Sequence, residues 1–105
     1  MVKEPRDRTY IRNDIMLMLS EHGELNKTRL LSYCGLNMAK HQEILDDMIR
    51  KDLISETKEP WGNKTITKYK MTEKGRRFWN AILEPYEQMF PRDEKLQGEE
   101  DEEKE

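Results

Sequence analysis

Two short helical stretches, broken by Gly35-Leu36-Asn37 and followed by strand-like alternation on either side of Pro60-Trp61-Gly62-Asn63, leave this chain few ways to fold. Asn26 is a good N-cap for a helix over Lys27–Cys34, on which Leu30, Leu31 and Cys34 share one face. The glycine then permits a sharp turn, Leu36 points inward, and Asn37 caps a further helix from Met38 to about Lys51. Its apolar stripe is Ile44, Leu45, Met48 and Ile49, so Asn37, Met38, Lys40, Gln42, Glu43, Asp47 and Arg50 lie mostly outside. The period next drops to two. Leu53–Lys58 and Thr65–Met71 read as strands, and Glu59-Pro60-Trp61-Gly62-Asn63-Lys64 as the loop that joins them in a hairpin.

The flanks extend this unit by one helix at each end. Ile11, Ile15, Met18 and Leu19 predict a first helix from about Arg8 to Glu21, capped by Asp7 or Thr9 and ended by His22-Gly23, with Leu25 in a very short strand. Thr72-Glu73-Lys74-Gly75 starts a last helix carrying Phe78, Trp79, Ile82, Leu83, Tyr86, Met89 and Phe90. Pro85 lacks an amide hydrogen and should kink or interrupt it. Charge then divides the chain: residues 1–90 hold 16 basic and 14 acidic side chains, residues 91–105 hold 3 and 8. The expected organisation is an N-terminal extension over 1–8, a folded domain over 9–72, a C-terminal helix over 73–90 and a disordered acidic tail over 91–105.

Several function classes are excluded at this point. A single cysteine, Cys34, cannot form an internal disulfide, and with His22 and His41 it lacks ligand spacing, so no metal or other cofactor is expected. Cys34 fits a small core position, and His41 a half-buried one that packs or hydrogen-bonds locally. No nucleophile, base and orienter can be assembled, nor a Gly-rich phosphate loop, so catalysis is not expected. No apolar run approaches the roughly 18 residues of a membrane span, which predicts a soluble, cytoplasmic protein without membrane or small-molecule partners.

The order of three helices, a two-stranded wing and a further helix is mainly α with a small β-hairpin, the order of a winged helix-turn-helix. From Leu25 to Trp79 the chain resembles the small archaeal winged-helix DNA-binding proteins that dimerise through a long C-terminal helix. The resemblance rests on the KTRLL second helix, the GLN turn, the L-x-x-M-I-x-x-D-L-I exit of helix three, and the Y-K-M-T-E-K-G phrase before the last helix. It implies binding of double-stranded DNA as a homodimer.

Residue chemistry adds candidates for that role. A helix fits the major groove, where Gln42 can pair with adenine, Lys40 can reach guanine or phosphate, Asn37 can bond a base edge or backbone oxygen, and Met38 can meet a thymine methyl. Glu43, Asp46 and Asp47 on the same helix oppose phosphate. Lys58, Lys64, Lys68, Lys70, Lys74, Arg76 and Arg77 against Glu59 and Glu73 give the hairpin and its exit a net charge of +5. Lys58, Lys64 and Lys68 are the wing candidates for phosphate, and Thr28, Arg29, Arg8 and Arg12 the candidates for positioning. Trp61 could enter a groove, stack on a partner or cover the hairpin.

On the last helix Trp79, Ile82, Leu83, Tyr86, Met89 and Phe90 are the expected dimer seam, because a body of ninety residues lacks the surface to cover them all. Pro85 favours a short, bent or reciprocally packed pair over a long straight coiled coil. The sequence leaves two functions open: a dimeric DNA-binding transcriptional regulator, or a winged-helix interaction module whose acidic helix-three face meets protein in a transcription or replication assembly.

Overall fold

In a computed structural model, which describes residues 7–92, the chain runs α1 (Arg8–His22), β1 (Glu24–Asn26), α2 (Lys27–Cys34), α3 (Met38–Arg50), β2 (Ile54–Trp61), β3 (Lys64–Met71), α4 (Glu73–Phe78), a π-helical turn (Trp79–Leu83) and α5 (Glu84–Met89). The first six residues of the expected extension and residues 93–105 of the expected tail lie outside the described residues. Among the described residues no helix is long and apolar enough to cross a membrane.

The caps explain where the helices begin. Asp7 accepts from the Thr9 amide at 2.7 Å, Asn26 from Arg29 at 2.8 Å, and Asn37 from Ala39 and Lys40 at 2.7 and 3.2 Å. Each satisfies amide donors that a helix start leaves unpaired. Two helices close by the same pair of backbone bonds. After α2, Leu36 N–H reaches Leu31 O and Gly35 N–H reaches Ser32 O; after α3, Leu53 N–H reaches Met48 O and Asp52 N–H reaches Ile49 O. The residue that reverses the chain has positive φ in both, 66° at Gly35 and 62° at Asp52.

The three strands form an antiparallel sheet in the order β1-β3-β2. Leu25 opposes Tyr69, and β2 pairs with β3 without interruption from Ile54↔Met71 to Trp61↔Lys64. The hairpin loop is therefore only Gly62-Asn63, shorter than the sequence predicts. Pro60 stands inside β2, which is tolerated because β2 is an edge strand and need not donate from every amide. Gly62 has φ 62° while Asn63 does not have positive φ, the sign pattern of the tight turn that matches strand twist and takes glycine first.

One core joins these elements. Ile11, Ile15, Met16 and Leu19 of α1 meet Leu30 and Leu31 of α2, Ile44, Leu45 and Met48 of α3, and Leu25, Ile54, Tyr69 and Met71 of the sheet. Met16 takes the fully buried place on α1, and Met18 is only partly buried. Trp79 and Leu83 are 8% and 2% exposed, so both belong to the interior of the chain and not to the exposed seam expected of them.

The last helix is not interrupted at Pro85 and widens in the turn before it. Glu84 N–H bonds Trp79 O, five residues back, and Pro85 falls in the first turn of α5, where its missing donor is not needed. Arg92, assigned from sequence to the tail, is placed against the folded chain. Arg92 packs on α1, its guanidinium bonded to Asp14 at 2.5 and 3.1 Å and to Glu87 at 2.9 Å, and 4.9 Å from the Tyr10 ring centroid. Two carboxylates and an aromatic face hold a residue that composition alone places with the acidic run.

Candidate nucleic-acid interface

The candidate interface is built on α3, with α2 before it and the β2–β3 hairpin after it. The three carboxylates of α3 are all engaged within the chain. Glu43 binds Arg8 at 3.0 Å. Asp47 faces Arg12 at 3.6 Å, Arg50 at 2.9 Å and Lys51 at 3.1 Å, and the Lys51 hydrogen bond, with the Lys51 and Arg50 charges, holds its carboxyl below the usual value despite partial burial. Asp46 accepts from the Gln42 amide at 2.8 Å. Arg8 and Arg12, considered from sequence for phosphate, are thus paired with acids of α3. The signal that could have found them is weak, since Arg8 and Glu43 are 35 residues apart.

Gln42 is hydrogen-bonded at both ends of its side-chain amide. It is half-buried, donates to Asp46 and accepts from Lys27 Nζ at 3.2 Å, which ties α3 to the start of α2. Beside it, burial raises the Tyr69 hydroxyl pKa, with the Glu56 charge adding to the effect; the hydroxyl lies 3.4 Å from Glu56. Asn37 spends its side-chain oxygen on the α3 cap, and its own N–H donates to His41 Nδ1 at 2.9 Å. His41 is accordingly a local hydrogen-bonding residue, and Cys34 is buried. On α3 the first turn, Met38 (42% exposed), Ala39 and Lys40, is exposed together with Glu43, Asp46 and Arg50, and Thr28 and Arg29 are exposed on α2.

The wing cations do not form one patch. Opposed residues in an antiparallel pair project to the same side, and successive residues alternate. Lys58 opposes Thr67 and so shares the face of Tyr69, whereas Lys64, Lys68 and Lys70 lie on the other face with Trp61 and Ile66. Lys68 is partnered by Glu59 at 3.1 Å. Lys58 and Lys64 are exposed, one on each face of the ribbon.

On the C-terminal helix the structure divides the expected seam. Trp79 donates from Nε1 to Asn13 Oδ1 at 2.7 Å, inside the core. Ile82 (51% exposed), Tyr86 (37%), Met89 (72%) and Phe90 (57%) point outward. The Tyr86 ring lies against Tyr10 and Phe90, at centroid distances of 5.9 and 5.2 Å, and the Tyr10 hydroxyl donates to the Phe90 carbonyl. Among the described residues no group of three or more His, Cys, Asp or Glu is placed to hold a metal ion.

Against known proteins, residues 5–90 match the winged helix-turn-helix family. No curated protein sequence matches the chain. Among solved structures the fold is similar to Sso10a-2, a DNA-binding protein from Sulfolobus solfataricus, at 24% identity, with 92% of each chain covered and a TM-score of 0.66. It is also similar to overoxidised AbfR bound to DNA, at 16% identity over 90% of this chain and 69% of that one, TM-score 0.66. Reduced AbfR bound to DNA gives 16%, 90%, 68% and 0.65. At such identities the likeness is one of fold.

Proposed function

Because the chain belongs to the winged helix-turn-helix family, we propose that it binds double-stranded DNA as a homodimer and regulates transcription. The observation that carries this reading is the internal engagement of every α3 carboxylate, which leaves an exposed first turn of Met38, Ala39 and Lys40 beside Thr28 and Arg29. That turn enters the major groove, Thr28 and Arg29 position the domain on the backbone, and Lys58 and Lys64 meet phosphate from the wing. The solved structures it resembles include a DNA-binding protein and a protein bound to DNA, which supports the same reading. The alternative of a protein-interaction module needs an acidic face on α3, and there Glu43 and Asp47 are paired with cations of the chain while Asp46 accepts from Gln42.

The dimer follows from the outward row of Ile82, Tyr86, Met89 and Phe90. Beside it runs a groove of about 530 Å³ whose lining includes Leu53, Phe78 and Leu83 and extends the apolar surface. Two copies joined here would present two α3 helices to one duplex.

Binding of labelled duplex DNA at several salt concentrations tests the reading. Wild type should weaken steeply with salt, and Lys40→Ala and Lys64→Ala should each reduce the log–log slope by about 0.9. Salt-independent binding, or none, rejects it. Light scattering on wild type and on Ile82→Asp/Met89→Asp tests the dimer: the variant should be a folded monomer, and an unchanged mass rejects the seam.

A further inference from the structure

Trp61 stands at the end of a ribbon that nothing covers. From Ser55 to Thr65 every residue is exposed, although the residues alternate between the two faces of the sheet, so neither face of the outer hairpin rests on the body. Six residues of β2, Glu56 to Trp61, reach roughly 20 Å at strand rise. A bare two-stranded ribbon is marginal in water. At its tip an indole 70% exposed opposes Lys64 directly across the strands, and Ile66 and Lys68 continue that face.

We propose that Trp61 is a non-ionic DNA-contacting residue: its indole packs against sugars and bases in a groove while Lys64 beside it pairs with phosphate. The inference deepens the DNA-binding reading and rests on it. Charge complementarity selects the partner. Over Ser55–Lys70 the ribbon carries four lysines against two glutamates, and one of those glutamates is already bound to Lys68. An aromatic plane next to an exposed cation suits a polyanion whose units also have flat apolar faces, which describes nucleic acid. The apolar wedges of groove-binding proteins exploit the same chemistry.

The chain allows a direct test, because it has two tryptophans and the other, Trp79, is 8% exposed and bonded to Asn13. Acrylamide quenching of intrinsic fluorescence therefore reports mainly on Trp61. Saturating duplex DNA should lower the quenching constant at least about twofold. A neutral contact releases no counterions, so Trp61→Ala should weaken binding about tenfold by the same factor at every salt concentration, with the slope unchanged. Lys64→Ala should change the slope, and Trp61→Phe should recover part of the loss. Duplex that binds without protecting the indole, or a Trp61→Ala variant that binds like wild type, overturns the inference and leaves the DNA-binding reading standing. A wild-type protein that binds no duplex overturns both.

Discussion

A methyl group placed on Gly75 would stand 1.9 Å from the carbonyl oxygen of Leu53. The backbone of α4 thus presses directly on the segment leaving α3. Thr72 completes the joint: its Oγ1 accepts from Gly75 N–H at 2.8 Å and donates toward Asp52 O at 2.6 Å, and its N–H donates to Leu53 O at 3.1 Å. This contact fixes the hairpin and the last helix relative to α3, and it explains physically why the T-E-K-G phrase carries glycine at its fourth place. Gly75→Ala should therefore cost about 3 kcal/mol, since backbone on both sides must shift. Gly62→Ala, which meets no atom within 4 Å, should lose only about 1 kcal/mol through its positive φ. Urea midpoints of the two variants against wild type measure the difference, and equal losses would contradict the close approach.

Asp52 occupies the left-handed position that ends α3, at φ 62°. Side chains other than glycine are strained there. Asp52→Gly should raise stability by about 1 kcal/mol, a shift of several degrees in Tm for a domain this size. A calorimetric Tm at or below wild type would show that the aspartate is held by something other than backbone geometry.

Asn13 bridges two elements far apart in sequence, accepting from Trp79 Nε1 and donating to Glu87 Oε1 at 2.5 Å. Asn13→Leu leaves the buried indole N–H without its acceptor and should cost about 2 kcal/mol. Combining it with Trp79→Phe removes the orphaned donor, so the double variant should lose less than the two single losses added together. Strict additivity in a double-mutant cycle would show that the bond contributes nothing.

Asp47 is the acid whose ionisation α3 depends on. Its folded-state pKa lies below the ordinary 3.8, first through the Lys51 hydrogen bond and then through the Lys51 charge and the Arg50 hydrogen bond and charge, with burial opposing. A depressed carboxyl pKa stabilises the fold above the unfolded value, and the contribution disappears as pH falls through the folded value. Asp47→Asn should therefore lower the urea midpoint at pH 7, and the gap from wild type should close below about pH 3. A gap of constant size from pH 7 to pH 2 would assign the loss to packing.

What could be read in advance was whatever short-range chemistry decides. Asn26, Asn37 and Thr72 cap the helices that their side chains suggest, because a cap bond spans two or three residues and needs no tertiary partner. The place of Pro60 depended on which strand lies at the edge, and that is settled only when β1 pairs with β3 and leaves β2 outside. The partners of the α3 acids were hidden for a similar reason: Arg8 and Arg12 reach them only after α1 packs across α3. Trp79 and Leu83 share a helical stripe with Ile82 and Tyr86, so periodicity groups all four. A periodic pattern ranks residues by face but does not count how many faces the rest of the chain will bury.

One extra residue in a helical turn rotates everything after it by about 100°. The wide turn at Trp79–Leu83 consequently lets one continuous helix answer to two separate neighbours. Its beginning is indexed to the core, where Trp79 and Leu83 are buried, and its end to the rim of α1, where Tyr86 lies against Tyr10, so substitutions that retune one alignment need not disturb the other.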